Sequence, residues 1–215
     1  MPPTSRRVLV FAKAPVPGAA KTRLIPLLGA EGAAALHARL VKHTLATARQ
    51  AALGTIELHG APADDDFLRH CAARYPAELI DQSEGDLGER MCTALRSALA
   101  AVDHAILIGT DSPALTARHL RHAAQALAQG HDAVIVPAED GGYVLIGLAR
   151  VDPALFDGIE WSTAHVMEQT RERLRALGWR WVELETLWDV DLPEDYARLV
   201  EARLLELRIP LETGS

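Results

Sequence analysis

The stretch VLVFAKAPVPGAAKTRL, residues 8–24, decides how the rest of the chain is read. Val8 to Phe11 form an uninterrupted run of strand type, the pattern of a strand covered on both faces. The run empties into Pro15, Pro17 and Gly18, and then Lys21, Thr22 and Arg23 stand together. Cations just past a strand end invite an anion. A Walker phosphate loop needs glycine directly before Lys-Ser/Thr and another glycine five positions earlier, so that backbone N–H groups can curl around a phosphate. Ala20 precedes Lys21, and Ala14 to Pro17 supply no glycine. The segment is therefore either a decayed Walker loop or a phosphate loop of another kind.

The 215 residues are 49% hydrophobic, enough to bury one substantial core, and a single domain over residues 1–215 is expected. With 22 basic and 29 acidic residues the net charge is −7. That argues against a general nucleic-acid binder, whose partner's backbone calls for a positive surface. Any phosphate site must be local. No apolar run is read as approaching the roughly 18–20 residues that span a bilayer. Met1 to Arg7 leads into the first strand without the apolar segment of a signal peptide, so a cytoplasmic protein is expected. Cys71 and Cys92 lack metal-ligand spacing and read as reduced, partly buried thiols.

Strand-like apolar runs alternate with helical patterns, the mark of a layered α/β fold with a largely parallel sheet. Residues 30–52 place Leu36, Leu40, Val41, Leu45 and Ala48 at helical intervals, Thr55 to His59 read as a second strand, and Leu79 and Ile80 as a third. Asp64, Asp65 and Asp66 read as first-turn acids that complement a helix dipole. Asp86 is placed to cap a helix beginning near Leu87, leaving backbone N–H groups beside Gly85 and Gly88 that can hold a ligand oxygen.

Three further strands end in carboxylates near glycine or proline. Asp111 follows Ala105 to Thr110, Asp140 precedes a strand from Tyr143, and Asp189 and Asp191 follow a run from Val182 to Trp188. Ligands of open α/β sheets bind at the carboxyl ends of the strands near the switch in strand order. These acids can therefore converge on one divalent cation, Mg2+ or Mn2+, with substrate phosphates and water completing the shell. Lys21 and Arg23 would add two cations for a polyphosphate. Each acid also has a plain structural reading: Asp111 as a helix cap, Asp140 as a turn former, Asp195 as a first-turn acid. His119 and His122 read as exposed or capping residues, and Trp161 as either a packing residue or part of an acceptor site.

The segments FAKAPVPGAAKTRL, GDLGERM, IGTDSPALT, PAEDGGYVLIGL, WST and DVDLPED, in that order over about residues 7–200, resemble a bacterial family of small glycosyltransferase-A-like proteins, some grouped with arsenosugar-biosynthesis glycosyltransferases. The Lys-Thr-Arg-Leu and Asp-Val-Asp-Leu-Pro-Glu-Asp stretches more distantly resemble 2-phospho-lactate guanylyltransferase. The resemblance implies the nucleotide-diphospho-sugar transferase (GT-A) fold: α/β, three layers, a mostly parallel sheet with one antiparallel strand. The first loop is then that fold's nucleotide-binding loop, rather than a decayed Walker loop.

The resemblance further implies a donor site formed by Ala12, Gly18, Lys21, Thr22 and Arg23, joined by Gly85, Asp86 and Gly88. It implies a metal at Asp111 and Asp191, with Asp189 as rival to Asp191, and an acceptor side at Asp140 to Tyr143. Ser112 stands where many metal-dependent glycosyltransferases carry a second acid, which leaves the metal dependent on a distant one. The expected activity is metal-dependent transfer from a nucleotide or nucleotide-sugar donor to a small-molecule acceptor, with glycosyl transfer first. Catalysis would rest on Asp140, Lys21 and Arg23, Asp140 serving as base. Nucleotidylyl transfer with release of pyrophosphate is the alternative, and a non-catalytic nucleotide-binding module the lesser one.

Overall fold

The computed structural model describes residues 5–205. Val8, Leu9 and Val10 are fully buried in β1 (Arg6–Lys13), as a run covered from both sides requires. β2 (Thr55–Ala61) and β3 (Glu78–Asp81) follow to one side of β1 and are parallel to it. β4 (His104–Ile108) returns to the other side of β1, also parallel. β5 (Ala133–Pro137), β6 (Tyr143–Leu148) and β7 (Trp181–Glu183) complete a seven-stranded sheet in the order β3-β2-β1-β4-β6-β5-β7. β6 runs antiparallel to both of its neighbours, and every other pairing is parallel. The three-layer GT-A architecture implied by the resemblance is the one observed.

Alternate residues of β1 point to opposite faces, and each face has its own core. Val8, Val10 and Ala12 meet Val41 and Leu45 of α1 (Ile25–Ala51), Leu68 and Cys71 of α2 (Asp66–Arg74), and Leu120 of α4 (Ala117–Ala128). Leu9, on the opposite face, lies in a core with Met91 and Leu95 of α3 (Leu87–Leu99) and Met167 and Leu174 of α5 (Val166–Ala176). A third cluster joins Leu36 and Leu40 of α1 to Trp188, Val190 and Leu199, the last on α6 (Pro193–Ala202). The helix that flanks the sheet thus also fixes the C-terminal segment.

Three sequence expectations are adjusted here. The helix placed at 30–52 begins earlier, at Ile25, but is broken at Gly29, whose φ of +69° is non-helical. The helical stretch Thr22–Ala51 is, by length and composition, long and apolar enough to cross a membrane, contrary to the expectation that no segment comes near. Its Leu36, Leu40, Val41 and Leu45 are buried against the rest of the fold, as in a core helix. The last strand stops at Glu183 instead of continuing to Trp188. Leu184 and Leu187 still donate to the Ile135 and Pro137 carbonyls, but Glu185 and Thr186 loop out between them, and Glu185 is drawn to His119 at 2.6 Å.

The switch in strand order lies between β1 and β4, because the chain leaves β1 toward β2 and β3 and then returns on its other side. The carboxyl ends of these two strands therefore frame a crevice. Gly147 in β6 keeps the neighbouring layers close: a Cβ there would lie 2.7 Å from Val134 Cγ1 and 3.3 Å from Leu127 Cδ1. Gly147→Ala is expected to destabilise the fold by about 1–3 kcal/mol through overpacking. Gly109→Ala, whose Cβ meets nothing within 4 Å, should stay within about 1 kcal/mol of the parent. Urea midpoints of the two variants check this, and equal midpoints would contradict it.

Candidate functional site

The loop after β1 is closed by its own backbone. Ala14 N–H donates to the Ala61 carbonyl, and Ala19 and Ala20 N–H both donate to the Val16 carbonyl. Gly18, at φ +82°, makes the tight turn that the sequence suggested. Lys21 ends the loop in the left-handed region (φ 48°, ψ 46°), a conformation costing a non-glycine residue about 1–2 kcal/mol. What holds it there is visible at the other end of the side chain. Its ammonium lies 2.6 Å from Asp111 Oδ1 and 3.6 Å from Asp191 Oδ1, with only 4% of the side chain exposed. Arg23 binds the other oxygen of Asp191 at 2.7 Å and is 67% exposed.

Both carboxylates are delivered by well-anchored backbone. Asp111 follows β4 directly after Gly109 and Thr110, and does not cap α4, whose N-cap is Thr116. The Asp111 carbonyl accepts from Val190 N–H at 2.9 Å, and Ser112 Oγ donates to the Trp188 carbonyl at 2.7 Å. The serine that replaces a second acid is thus a buried clasp between the β4 loop and the segment bearing Asp189 and Asp191. Arg198 stacks its guanidinium 4.5 Å over the Trp188 ring and binds Glu139 through both terminal nitrogens. Asp195 is, as read, a first-turn acid: its Oδ2 accepts from the N–H groups of Asp191 and Leu192.

The electrostatics are uneven. Desolvation works against the ionised form of Asp111, whose side chain is still 51% exposed, but nearby positive charge, the Lys21 ammonium first, outweighs it and holds the carboxyl below the usual range. Asp189 has no such partner: burial, then the nearby charges of Asp140 and Asp111, push it up to about 6, against the pull of Lys21. His37 is held below its ordinary value, chiefly by burial. Its Nε2 donates to the Lys13 carbonyl at 3.0 Å.

Among the described residues, no three His, Cys, Asp or Glu side chains are grouped so that they could hold a metal ion. The donor set nevertheless suits a hard divalent cation that is completed by phosphate oxygens. Asp111 and Asp191 already share one cation, the Lys21 ammonium, and a second cation would relieve both the burial and the like charge of Asp140 and Asp111 that raise Asp189.

Of the other residues singled out in the sequence, Asp140 is the turn former: its Oδ1 accepts from Gly142 N–H at 2.8 Å. Its charge is also felt by Asp189, so it borders the acid cluster. Asp86 caps α3 reciprocally with Glu89. Gly85 has φ +107°, and a Cβ there would strike Glu89. Gly88 is buried under the Trp161 indole, 2.6 Å from where its Cβ would be, so the absent side chain makes room for tryptophan. Trp161 also packs on Tyr143 and Phe156, a packing role. Ala12 is buried in β1, and Thr22 is exposed at the start of a short helical turn. His119 is a capping residue, accepting from Thr116 N–H at 2.9 Å. Sequence reasoning missed His37, which helical periodicity marks only as one more residue of α1.

Residues 44–163 match the family described as uncharacterized protein conserved in bacteria (DUF2064). A crystal structure of a protein described as a candidate nucleotide-diphospho-sugar transferase, from Desulfovibrio desulfuricans G20, is 33% identical, covers 88% of this chain and 83% of its own, and superposes with a TM-score of 0.80. A nucleotidyl transferase from Methanothermobacter thermautotroptrophicus is 15% identical over 93% of this chain and 98% of its own, with a TM-score of 0.65. Glucosyl-3-phosphoglycerate synthase from Mycobacterium tuberculosis, solved with Mn2+, UDP and glucosyl-3-phosphoglycerate, is 11% identical over 94% of this chain and 77% of its own, with a TM-score of 0.56. The last two show likeness of fold. No curated protein matches the chain.

Asp189 gives the stability a pH dependence of definite sign. The unfolded chain ionises this residue near its ordinary value of 3.8, while the folded chain holds the proton to about 6. The group's penalty therefore develops as pH rises between these values and persists above them. Asp189→Asn is expected to stabilise the protein by about 1–3 kcal/mol near neutral pH and by at most about 0.5 kcal/mol near pH 4. Urea unfolding at the two pH values measures it. A variant no more stable than the parent at neutral pH would contradict the assignment.

Proposed function

We propose, from the premise that the chain belongs to the DUF2064 family, that it is a transferase acting on a nucleoside-phosphate donor, with glycosyl transfer from a nucleotide sugar to a small acceptor as its reaction. The observation that carries this reading is the interlock of Lys21 and Arg23 with Asp111 and Asp191 at the carboxyl ends of β1 and β4. Two cations from one loop and two acids from two others meet in the crevice where such sheets take their ligands. The 33% identical structure supports the same class.

Asp111 and Asp191, with Asp189 beside them, are the residues that would hold Mg2+ or Mn2+. Such a cation supplies neutralisation of the charge that develops on the leaving phosphate. Lys21 and Arg23 supply positive charge to the same oxygens, and their effect is catalytic to the extent that it is stronger in the transition state than in the bound donor. Gly18 and the closed turn around it let the donor approach the loop backbone. Gly85 and Asp86, at the start of α3, extend the donor side. Asp140, oriented by Gly142 N–H, takes the proton from the acceptor hydroxyl. Asp189 can share in handling that proton, since burial, with the charges of Asp140 and Asp111 added, holds its carboxyl at about 6.

Nucleotidylyl transfer is the second reading, favoured by the basic loop itself, whose lysine and arginine suit a triphosphate. The two chemistries differ in what leaves. Glycosyl transfer from a nucleotide sugar yields the free nucleoside phosphate, and Asp140→Asn should then lower kcat with little change in donor affinity. Nucleotidylyl transfer yields pyrophosphate from a nucleoside triphosphate and needs no base, because an acceptor phosphate or carboxylate attacks directly. Chromatographic product analysis over a panel of nucleotide sugars and triphosphates decides between them. Pyrophosphate release undiminished in the Asp140 variant would overturn the first reading, and silence with every donor would favour a non-catalytic nucleotide-binding module.

The phosphate contacts are tested separately. Replacing both Lys21 and Arg23 by Ala is expected to weaken binding of a nucleoside diphosphate about 10-fold or more while leaving the bare nucleoside nearly unaffected. Calorimetric titration with the two ligands measures the difference. Equal losses would separate the pair from the phosphates.

A further inference from the structure

We propose that His37 is a nitrogen ligand of the divalent cation held at Asp111, which makes the site selective for a first-row transition cation such as Mn2+ over Mg2+. The inference rests on the donor-site reading above and adds to it a ligand from a different element, α1.

His37 is 94% buried in the fold, at 6% exposure. The Lys13 carbonyl at 3.0 Å from its Nε2 can only accept, so Nε2 carries the ring hydrogen. Nδ1 is then a bare lone pair. It is buried and has no hydrogen-bond partner. The acid nearest to it is Asp111, whose Oδ1 stands 4.0 Å away. Two acceptors facing one another across that distance, one of them unsatisfied, mark a place for something positive between them. A backbone carbonyl fixing one ring nitrogen while the other stays open is the arrangement that orients histidine as a metal ligand.

The spacing fits. Ligands about 2.0–2.2 Å from one cation stand from about 3 Å apart, when adjacent, to just over 4 Å when nearly opposite. In the structure the charge of Asp111 is met instead by Lys21, 2.6 Å from the same Oδ1. Lys21 does not also satisfy His37, whose Nδ1 makes no hydrogen bond. Once donor phosphates draw the ammonium away, Asp111 and His37 are left facing the cation, with Asp191 Oδ1 the other group that Lys21 had engaged. Mg2+ takes hard oxygens and keeps its waters, whereas imidazole favours transition cations, so the nitrogen sets the preference.

The experiment loads the full chain with Mn2+ alone and records pulsed electron paramagnetic resonance, with histidine labelled in one sample by the heavy nitrogen isotope. A directly coordinated nitrogen coupling that changes with the label is expected. His37→Gln, which keeps a donor for the Lys13 carbonyl, should lose that coupling and weaken Mn2+ about 10-fold or more, while Mg2+ affinity, read by competition, changes less than about 3-fold. An unchanged melting temperature separates this from misfolding. Mn2+ bound in the unmutated protein without nitrogen coupling would overturn the His37 assignment and leave the donor site standing. No Mn2+ binding at all would overturn both the assignment and the metal part of the donor reading.

Discussion

The Lys21 ammonium, buried between Asp111 and Asp191, is the interaction on which the rest of the site depends. A lysine side chain that is 4% exposed costs several kcal/mol to bury unless opposite charge meets it. The fold meets it from two directions, with one carboxylate from the end of β4 and one from the segment before α6. Removing either would leave a buried charge short of a partner. The left-handed backbone of Lys21 is held against its own preference by the same pair.

That requirement explains several features that are otherwise unconnected. Ser112 and Val190 tie the β4 loop to the C-terminal segment, Trp188 and Val190 anchor that segment on Leu36 and Leu40, and Asp195 holds the backbone of Asp191. The acids nevertheless outnumber the cations: Asp111, Asp140, Asp189 and Asp191 stand against Lys13, Lys21 and Arg23. A phosphate arriving alone would meet net negative charge. A phosphate arriving with a divalent cation would not, and the like charge of Asp140 and Asp111, added to burial, raises the Asp189 carboxyl from the protein's side.

Much of the fold was legible because parallel strands buried on both faces read as continuous apolar runs, and Val8 to Phe11 and Ala105 to Ile108 are such runs. The end of β7 was not, since Val182 to Trp188 has strand-like residues throughout. The strand gives way where Glu185 turns out toward His119, a tertiary contact that leaves no local trace. The site divides in the same way. Lys21, Arg23, Asp111 and Asp191 announced themselves by position at strand ends. Ser112 registered only as a missing acid, although its hydroxyl supplies the clasp, and His37 was hidden because its partner is a backbone carbonyl far away in sequence.

The central claim is that Asp111 makes donor binding depend on a cation. It is tested most directly by titrating a nucleoside diphosphate into the parent and Asp111→Asn proteins, each with and without Mn2+. The parent should bind more tightly when the cation is present, and the variant, folded by circular dichroism though less stable for want of the Lys21 partner, should lose this enhancement. Its cation-free binding should persist or improve, because Lys21 is released toward the phosphates. Equal enhancement by Mn2+ in both proteins would contradict it.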